Sequence, residues 1–260
     1  IKDIEPGTTS SYPDDMYFYN NEVYFHAYTT VEDEELWKTD GTAAGTVLVK
    51  NICPDVASSV DINNLQFMKM IDVNGTFFFT PDDGINGREL WKSDGTAAGT
   101  VMVKDIKPGS IGSGIYTVKN MNGILYFNAD DGVNGDEPWK SDGTLAGTVM
   151  VKDLNPGAGG SQLGAFEVFQ GKLYFRAYNP TNGSELWRSD GTAAGTVLVK
   201  DIYPGTTGSG PAALTNANDV LLFFQAMDAV NGQELWKSDG TAAGTVMVKD
   251  IRPGAFGGLS

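Results

Sequence analysis

Four acidic loops carry the ligand chemistry of this sequence. Two are rich in carboxylates: Asp82-Asp83-Gly84-Ile85-Asn86-Gly87-Arg88-Glu89 and Asp130-Asp131-Gly132-Val133-Asn134-Gly135-Asp136-Glu137. Two are weaker: Asn179-Pro180-Thr181-Asn182-Gly183-Ser184-Glu185 and Asp228-Ala229-Val230-Asn231-Gly232-Gln233-Glu234. Hard oxygen donors spaced around glycines suit Ca²⁺, which takes about six to eight oxygens in a flexible loop. That reading nominates Asp82, Asp83, Asn86, Asp130, Asp131 and Asn134 as metal ligands, with calcium the one cofactor in question. The spacing departs from the EF-hand, however, and Asp, Asn and Gly are equally the residues of a tight hairpin loop, which is the simpler account. As contacts to another ligand, the same loops offer Asp82, Asn86, Glu89, Asp130, Asn134, Glu137, Asn182, Glu185, Asn231 and Glu234. The corresponding stretch Thr29-Thr30-Val31-Glu32-Asp33-Glu34 lacks the pattern.

Catalytic inventories come up short. His26 is the sole histidine and Cys53 the sole cysteine, so a Ser-His-Asp or Cys-His relay has one candidate base and no motif beside it. His26 sits in Tyr24-Phe25-His26-Ala27, at a position occupied by Thr80, Asn128, Arg176 and Gln225 in sibling segments, and reads as a polar strand residue. A glycosidase needs two carboxylates in different environments, whereas those here recur in equivalent ones. One thiol also excludes an internal disulfide and a Cys-rich zinc site. The chain is expected not to be an enzyme.

The elements that would position these residues follow from repetition. All five tryptophans, Trp37, Trp91, Trp139, Trp187 and Trp236, recur at intervals of 54, 48, 48 and 49 residues. Phe25, Phe79, Phe127, Phe175 and Phe224 each stand twelve positions before their Trp, and Pro54, Pro108, Pro156, Pro204 and Pro253 seventeen after it. Each unit reads as four strands. In the second copy these are LQFMKMIDV, TFFFT after an Asn74-Gly75 turn, RELWKS after the acidic loop, and TVMVKDI after DGTAAG. Asn-Gly and Asp-Gly between β-branched and aromatic runs are hairpin signals, and no stretch holds a helical period. Four antiparallel strands in a unit of this length, repeated, predict an all-β, five-bladed β-propeller. The adjacent Leu36 and Trp37 point to opposite faces, so the sheet must be covered on both sides, as stacked blades provide. A β-solenoid is the competing architecture.

A single propeller domain over 1–260 is expected, with blades near 8–52, 55–106, 109–154, 157–202 and 205–251. Residues 1–7 are then surplus, or a closing outer strand. Ile1-Lys2-Asp3-Ile4-Glu5-Pro6-Gly7 repeats what returns as Val248-Lys249-Asp250-Ile251-Arg252-Pro253-Gly254. One of the two copies exceeds a five-bladed ring, and the chain is expected to be a piece of a longer array. No charged-then-apolar leader precedes Ile1, so any signal segment lies upstream or has been removed.

Within this frame the Trp residues read as blade-to-blade packing rather than sugar platforms. Asp40, Asp94, Asp142, Asp190 and Asp239 open the DGT turns and are expected to accept backbone N–H bonds. For Glu35, Glu89, Glu137, Glu185 and Glu234, two before each Trp, a bond to backbone, to a recurrent Lys such as Lys104, or to a ligand remains open. A buried unpaired carboxylate would cost too much to repeat five times. Pro138, where the other copies have Leu, predicts an irregular or edge-exposed strand.

The segments Glu89-Leu90-Trp91 through Gly95-Thr96 and Gly99-Thr100, with the same pattern at Glu35, Glu185 and Glu234, resemble the bacterial repeat family known by the consensus ELWxxDGTxxGT. The resemblance covers all five units, implies a secreted or cell-surface setting, and brings no catalytic residues. The five-unit count is also similar in architecture to the five-bladed lectins of the tachylectin type.

A net charge of −15 and a pI near 4.3 repel phosphate backbones and anionic lipid, which argues against nucleic acid and membrane surfaces as partners. No run of about 18 apolar residues crosses a bilayer. Equal repeated sites suit a multivalent binder, which gains avidity from several weak contacts. The sequence-level expectation is therefore a non-catalytic extracellular binding module with carbohydrate as the leading ligand. The alternatives are a structural or adhesive protein-binding array of a larger surface protein and, remotely, a glycosidase; the sequence leaves the oligomeric state open.

Overall fold

The computed structural model describes residues 1–53 and 69–253. Pro54, residues 55–68 at the start of the expected second blade, and residues 254–260 lie outside them. Every regular element among the described residues is a strand, and the strands form five four-stranded antiparallel sheets. The first comprises β1 (Asp14–Tyr19), β2 (Glu22–Thr29), β3 (Asp33–Thr39) and β4 (Val47–Lys50). The second comprises β5 (Met70–Val73), β6 (Thr76–Phe79), β7 (Leu90–Ser93) and β8 (Val101–Lys104). The third comprises β9 (Val118–Met121), β10 (Ile124–Asp130), β11 (Asp136–Ser141) and β12 (Val149–Met150). The fourth comprises β13 (Gly164–Phe169), β14 (Lys172–Asn179), β15 (Gly183–Ser189) and β16 (Val197–Lys200). The fifth comprises β17 (Ala212–Ala217), β18 (Leu221–Asp228), β19 (Gly232–Ser238) and β20 (Val246–Lys249). Strand order within each sheet follows the chain, so each is a blade and the fold is a five-bladed β-propeller.

The chain packs as two compact units. One is Ile1–Tyr116 with Asp142–Thr148, and the other is Thr117–Ser141 with Val149–Ser260.

The fixed spacings of the sequence are strand registers. Phe25 pairs with Trp37 directly across the ladder, as do Phe79 with Trp91, Phe127 with Trp139, Phe175 with Trp187 and Phe224 with Trp236. A length change between the two would slide one strand by a residue and turn its apolar side chains to the wrong face. The turn between the first and second strands takes left-handed backbone in all five blades. Asn74 (φ 53°) and Gly75 (φ 76°) adopt it in the second, Asn122 (φ 55°) and Gly123 (φ 79°) in the third. A two-residue turn of this hand matches the strand twist.

Both faces of the fourth blade are buried. In the second unit, Trp187 packs with Phe166, Phe175 and Ala177 against Tyr126, Val151 and Leu154 of the third blade. Its neighbour Leu186 points the other way, joining Tyr174, Val199 and Ile202 against Phe224 and Trp236 of the fifth. In the first unit Leu36 lies with Trp91, and Trp37 with Phe25 and Ala27. Lysines tie successive blades together. Lys50 Nζ donates to the Thr100 carbonyl at 2.7 Å, Lys104 to Thr148 at 2.9 Å, Lys152 to Thr196 at 2.7 Å and Lys200 to Thr245 at 2.7 Å. A bulge sets up this reach, since Leu36 pairs with Lys50 but Trp37 with Leu48, and the same shift recurs at Leu90/Trp91, Leu186/Trp187 and Leu235/Trp236.

Pro138 departs from its expectation. Its strand is interior, paired with β10 on one side and β12 on the other. Proline keeps its acceptor, and Val151 N–H donates to the Pro138 carbonyl at 2.7 Å. The missing donor falls on the side of the outer strand, and β12 is correspondingly cut to two residues where the other outer strands have four.

Trp187 is 7% exposed, so Trp187→Ala should destabilise by about 3–5 kcal/mol, as loss of a large buried aromatic does. Chemical denaturation checks this; an unchanged midpoint would show that the ring contributes nothing to the blade interface.

Candidate functional site

The five repeated glutamates are internal. Glu35, Glu89, Glu137, Glu185 and Glu234 are 0–2% exposed, and their carboxylates accept bonds from the backbone that leaves the fourth strand. Glu89 takes the N–H groups of Ile106 at 3.1 Å and Lys107 at 3.0 Å, and the Ser113 hydroxyl at 2.8 Å. Glu137 takes Leu154 at 3.0 Å, Asn155 at 3.2 Å and Ser161 at 2.8 Å. Glu185 takes Tyr203 N–H at 2.9 Å and both the N–H and hydroxyl of Ser209. Glu35 holds Ile52 and Cys53, and Glu234 holds Ile251 and Arg252. Each carboxylate latches the exit of its own blade. Burial raises the carboxyls of Glu89, Glu137 and Glu185 above the ordinary range despite these donors, and Glu137 reaches about 7.

The DGTxxGT turns are self-contained networks. Asp94 Oδ1 accepts both the Thr96 N–H at 2.9 Å and its hydroxyl at 2.7 Å, and Thr96 Oγ1 accepts Gly99 N–H at 3.0 Å. The Thr100 hydroxyl donates to the Thr96 carbonyl at 2.7 Å and lies 2.7 Å from Ser93 Oγ. Asp40, Asp142, Asp190 and Asp239 repeat the arrangement. The second glycine is required by contact, because a Cβ on Gly99 would lie 2.0 Å from Asp94 Oδ1, as at Gly45, Gly147, Gly195 and Gly244 with their own Asp. These bonds hold the Asp carboxyls below the usual range.

The acidic loops likewise spend their oxygens at home. Asp83 Oδ1 accepts Ile85 and Asn86 N–H, and its Oδ2 accepts Asn86 Nδ2 at 2.8 Å. Asp131 does the same for Val133 and Asn134, and Asp228 for Val230 and Asn231. Asp82 and Asp130 each accept the N–H two residues on. Asn182 donates to Asp201 at 2.8 Å. The loops also press on the Pro-Gly connectors: a Cβ on Gly87 would lie 2.5 Å from Gly112 N, and Arg88 and Gly112 form a parallel bridge. Among the described residues no three His, Cys, Asp or Glu side chains gather as a metal site requires.

The fivefold pattern breaks in the first unit. Asp14, Asp15, Met16, Tyr17, Lys69 and Met70 line a cleft of about 550 Å³. Asp14 stands across the ladder from His26, whose Nδ1 lies 3.4 Å from Glu34 Oε1. Burial raises the Asp15 carboxyl above its ordinary range. Tyr12, Met16 and Phe18 are exposed nearby in the chain, each at 67–68%. Repeat alignment could not find this cleft, because Asp14 and Asp15 have no counterparts in Gly164-Ala165 or Ala212-Ala213.

The two carboxylate sets predict a pH optimum for stability. For the raised glutamates the folded state favours the protonated form, so their contribution is fully present below 4.5 and is lost as pH rises toward about 7 for Glu137. For the turn aspartates it is present above 3.8 and lost as pH falls further. The melting temperature should therefore peak at about pH 4–5 and decline toward pH 8. Glu137→Gln should flatten the decline; an unaltered profile would mean that Glu137 does not titrate there.

No protein-family model and no curated protein matches the sequence. Similar solved structures exist. A puromycin hydrolase S511A mutant complexed with PGG is similar at TM-score 0.54 and 15% identity, covering 93% of this chain and 38% of that one. A prolyl endopeptidase, from a study of inter-domain dynamics in catalysis and specificity, is similar at TM-score 0.56 and 12% identity, covering 92% and 35%. A puromycin-hydrolyzing peptidase of Mycobacterium tuberculosis is similar at TM-score 0.51 and 12% identity, covering 92% and 38%. At these identities the likeness shows the fold, and the chain spans less than two fifths of each neighbour. The expectation of a carbohydrate-binding module is corrected here: the solved structures named above are peptidases, and none of them is a lectin. The geometry agrees, since the Trp rings that would stack on sugars are 6–7% exposed and the nominated glutamates are internal latches.

Proposed function

We propose that this chain is a peptidase-type propeller that handles peptide for a hydrolase and performs no hydrolysis itself. What carries the reading is the likeness just described, in which over nine tenths of this chain aligns with just over a third of each peptidase. His26, the sole histidine, is 1% exposed, and its Nδ1 lies 3.4 Å from Glu34 Oε1. The cleft of Asp14, Asp15, Tyr17 and Lys69 is the proposed contact: its carboxylates suit the free amino terminus of a peptide, and Met16 supplies apolar surface. The repeat's resemblance to the ELWxxDGTxxGT family supports a secreted or cell-surface setting.

Fluorescence anisotropy with labelled short peptides, beside chromogenic aminoacyl and prolyl anilides, tests this. Saturable peptide binding without turnover is expected, weakened several-fold by Asp15→Asn and by acetylating the peptide's amino group. Failure to bind any peptide overturns peptide handling, and turnover of an anilide overturns the non-catalytic assignment.

A further inference from the structure

His26 and Glu34 hold a pair of positions that the third blade fills with a different chemistry. There the residue after the blade's Phe is Asn128, the residue three before its Trp is Asp136, and Asn128 Nδ2 donates to Asp136 Oδ1 at 2.7 Å. In the first blade the same two positions bring His26 Nδ1 to 3.4 Å from Glu34 Oε1. An amide beside a carboxylate leaves the carboxylate's charge in place. An imidazole changes charge between about pH 5 and 8, so the His26–Glu34 pair carries one negative charge when the ring is neutral and none when it is protonated.

That pair adjoins the cleft. Asp14 faces His26 directly across the ladder, and Asp15 is within electrostatic reach of His26, Asp14, Lys69 and Glu34. Asp14, Asp15 and Lys69 line the cleft itself. The charged groups gathered at this corner are therefore Asp14 and Asp15 on β1, Glu34 on β3 and Lys69 ahead of β5, all within the unit that holds Ile1–Tyr116. His26 is 1% exposed and the Glu34 side chain 17%, so salt screens the pair from the neighbouring carboxylates much less than it screens exposed charges.

We propose that His26 gates the cleft by pH. With the ring neutral, Glu34 adds its charge to those of Asp14 and Asp15 and the cleft holds the amino terminus of a peptide; protonation of the ring cancels Glu34 and releases it. The gate rests on the peptide reading of the cleft. His26 is a positioning residue that touches no ligand and sets the field of those that do. By linkage, a bound amino terminus holds the ring neutral.

Anisotropy titrations with a C-terminally labelled short peptide, run from about pH 5.5 to 7, test it, since an α-amino group stays largely charged across that window. Affinity should fall about tenfold toward the acid end, the scale of one added charge near a partly buried site. His26→Asn, which installs the third blade's pair, should keep the neutral-pH affinity and remove most of the fall, leaving only the titration of Asp15. The single histidine gives one imidazole C2–H resonance, and saturating peptide should move its titration to lower pH. Binding that does not change across the window, or a fall of equal size in His26→Asn, overturns the gate and leaves the peptide reading standing. An imidazole titration that bound peptide does not move overturns it as well, and no binding at any pH overturns both. Should His26→Asn unfold, the imidazole titration in the unmodified chain decides alone.

Discussion

The structure depends on a buried carboxylate placed where the chain leaves each blade. Behind the fourth strand the backbone must turn out of the ladder toward the next sheet, and its N–H groups lose their strand partners as it does. Stranding such donors in the interior would cost about 1–3 kcal/mol each. The glutamate two positions before Trp supplies both oxygens to two of them, and in three blades a serine hydroxyl from the next connector joins the same carboxylate. Trp and Glu therefore work as one device, the ring fixing the spacing between sheets and the carboxylate fixing the path between them.

This division explains what the sequence could and could not reveal. The twelve-residue interval from Phe to Trp announced a register because both residues sit in ladders, where a single slip would be costly. The adjacent Leu and Trp announced a sheet covered on both sides for the same reason. The role of the glutamates stayed open, because sequence alone does not show that residues seventeen and eighteen positions on return to the same carboxylate. Pro138 was legible as a defect but not as to where the defect falls: the strand that carries it keeps its place, and its neighbour shortens. The cleft at Asp14 and Asp15 was invisible to alignment of repeats, since the matching positions Gly164-Ala165 and Ala212-Ala213 carry no carboxylate.

The nominated ligand residues illustrate how closely loop chemistry imitates site chemistry. Asp83 with Asn86, and Asp131 with Asn134, present several oxygens around a glycine turn, the pattern that invites a cation. In the folded chain those oxygens are already engaged by the loop's own N–H groups, and the adjoining glycines lie against a second backbone. The first blade, with its carboxylates, histidine and exposed apolar side chains, is the one that departs from the repeat, and the proposed peptide contact rests on that asymmetry rather than on multiplicity.

The contact between Asp94 and Gly99 bears on how such a repeat can drift. Neither residue has an easy single replacement: a larger side chain at the glycine collides with the carboxylate, and loss of the carboxylate releases the threonine that holds the glycine's own N–H. Any path away from the pair crosses a less stable intermediate, so duplicated copies remain locked together whatever surface each one later acquires. Near-identity among the five DGTxxGT turns is therefore a record of folding constraint, and the units differ in the residues between those turns.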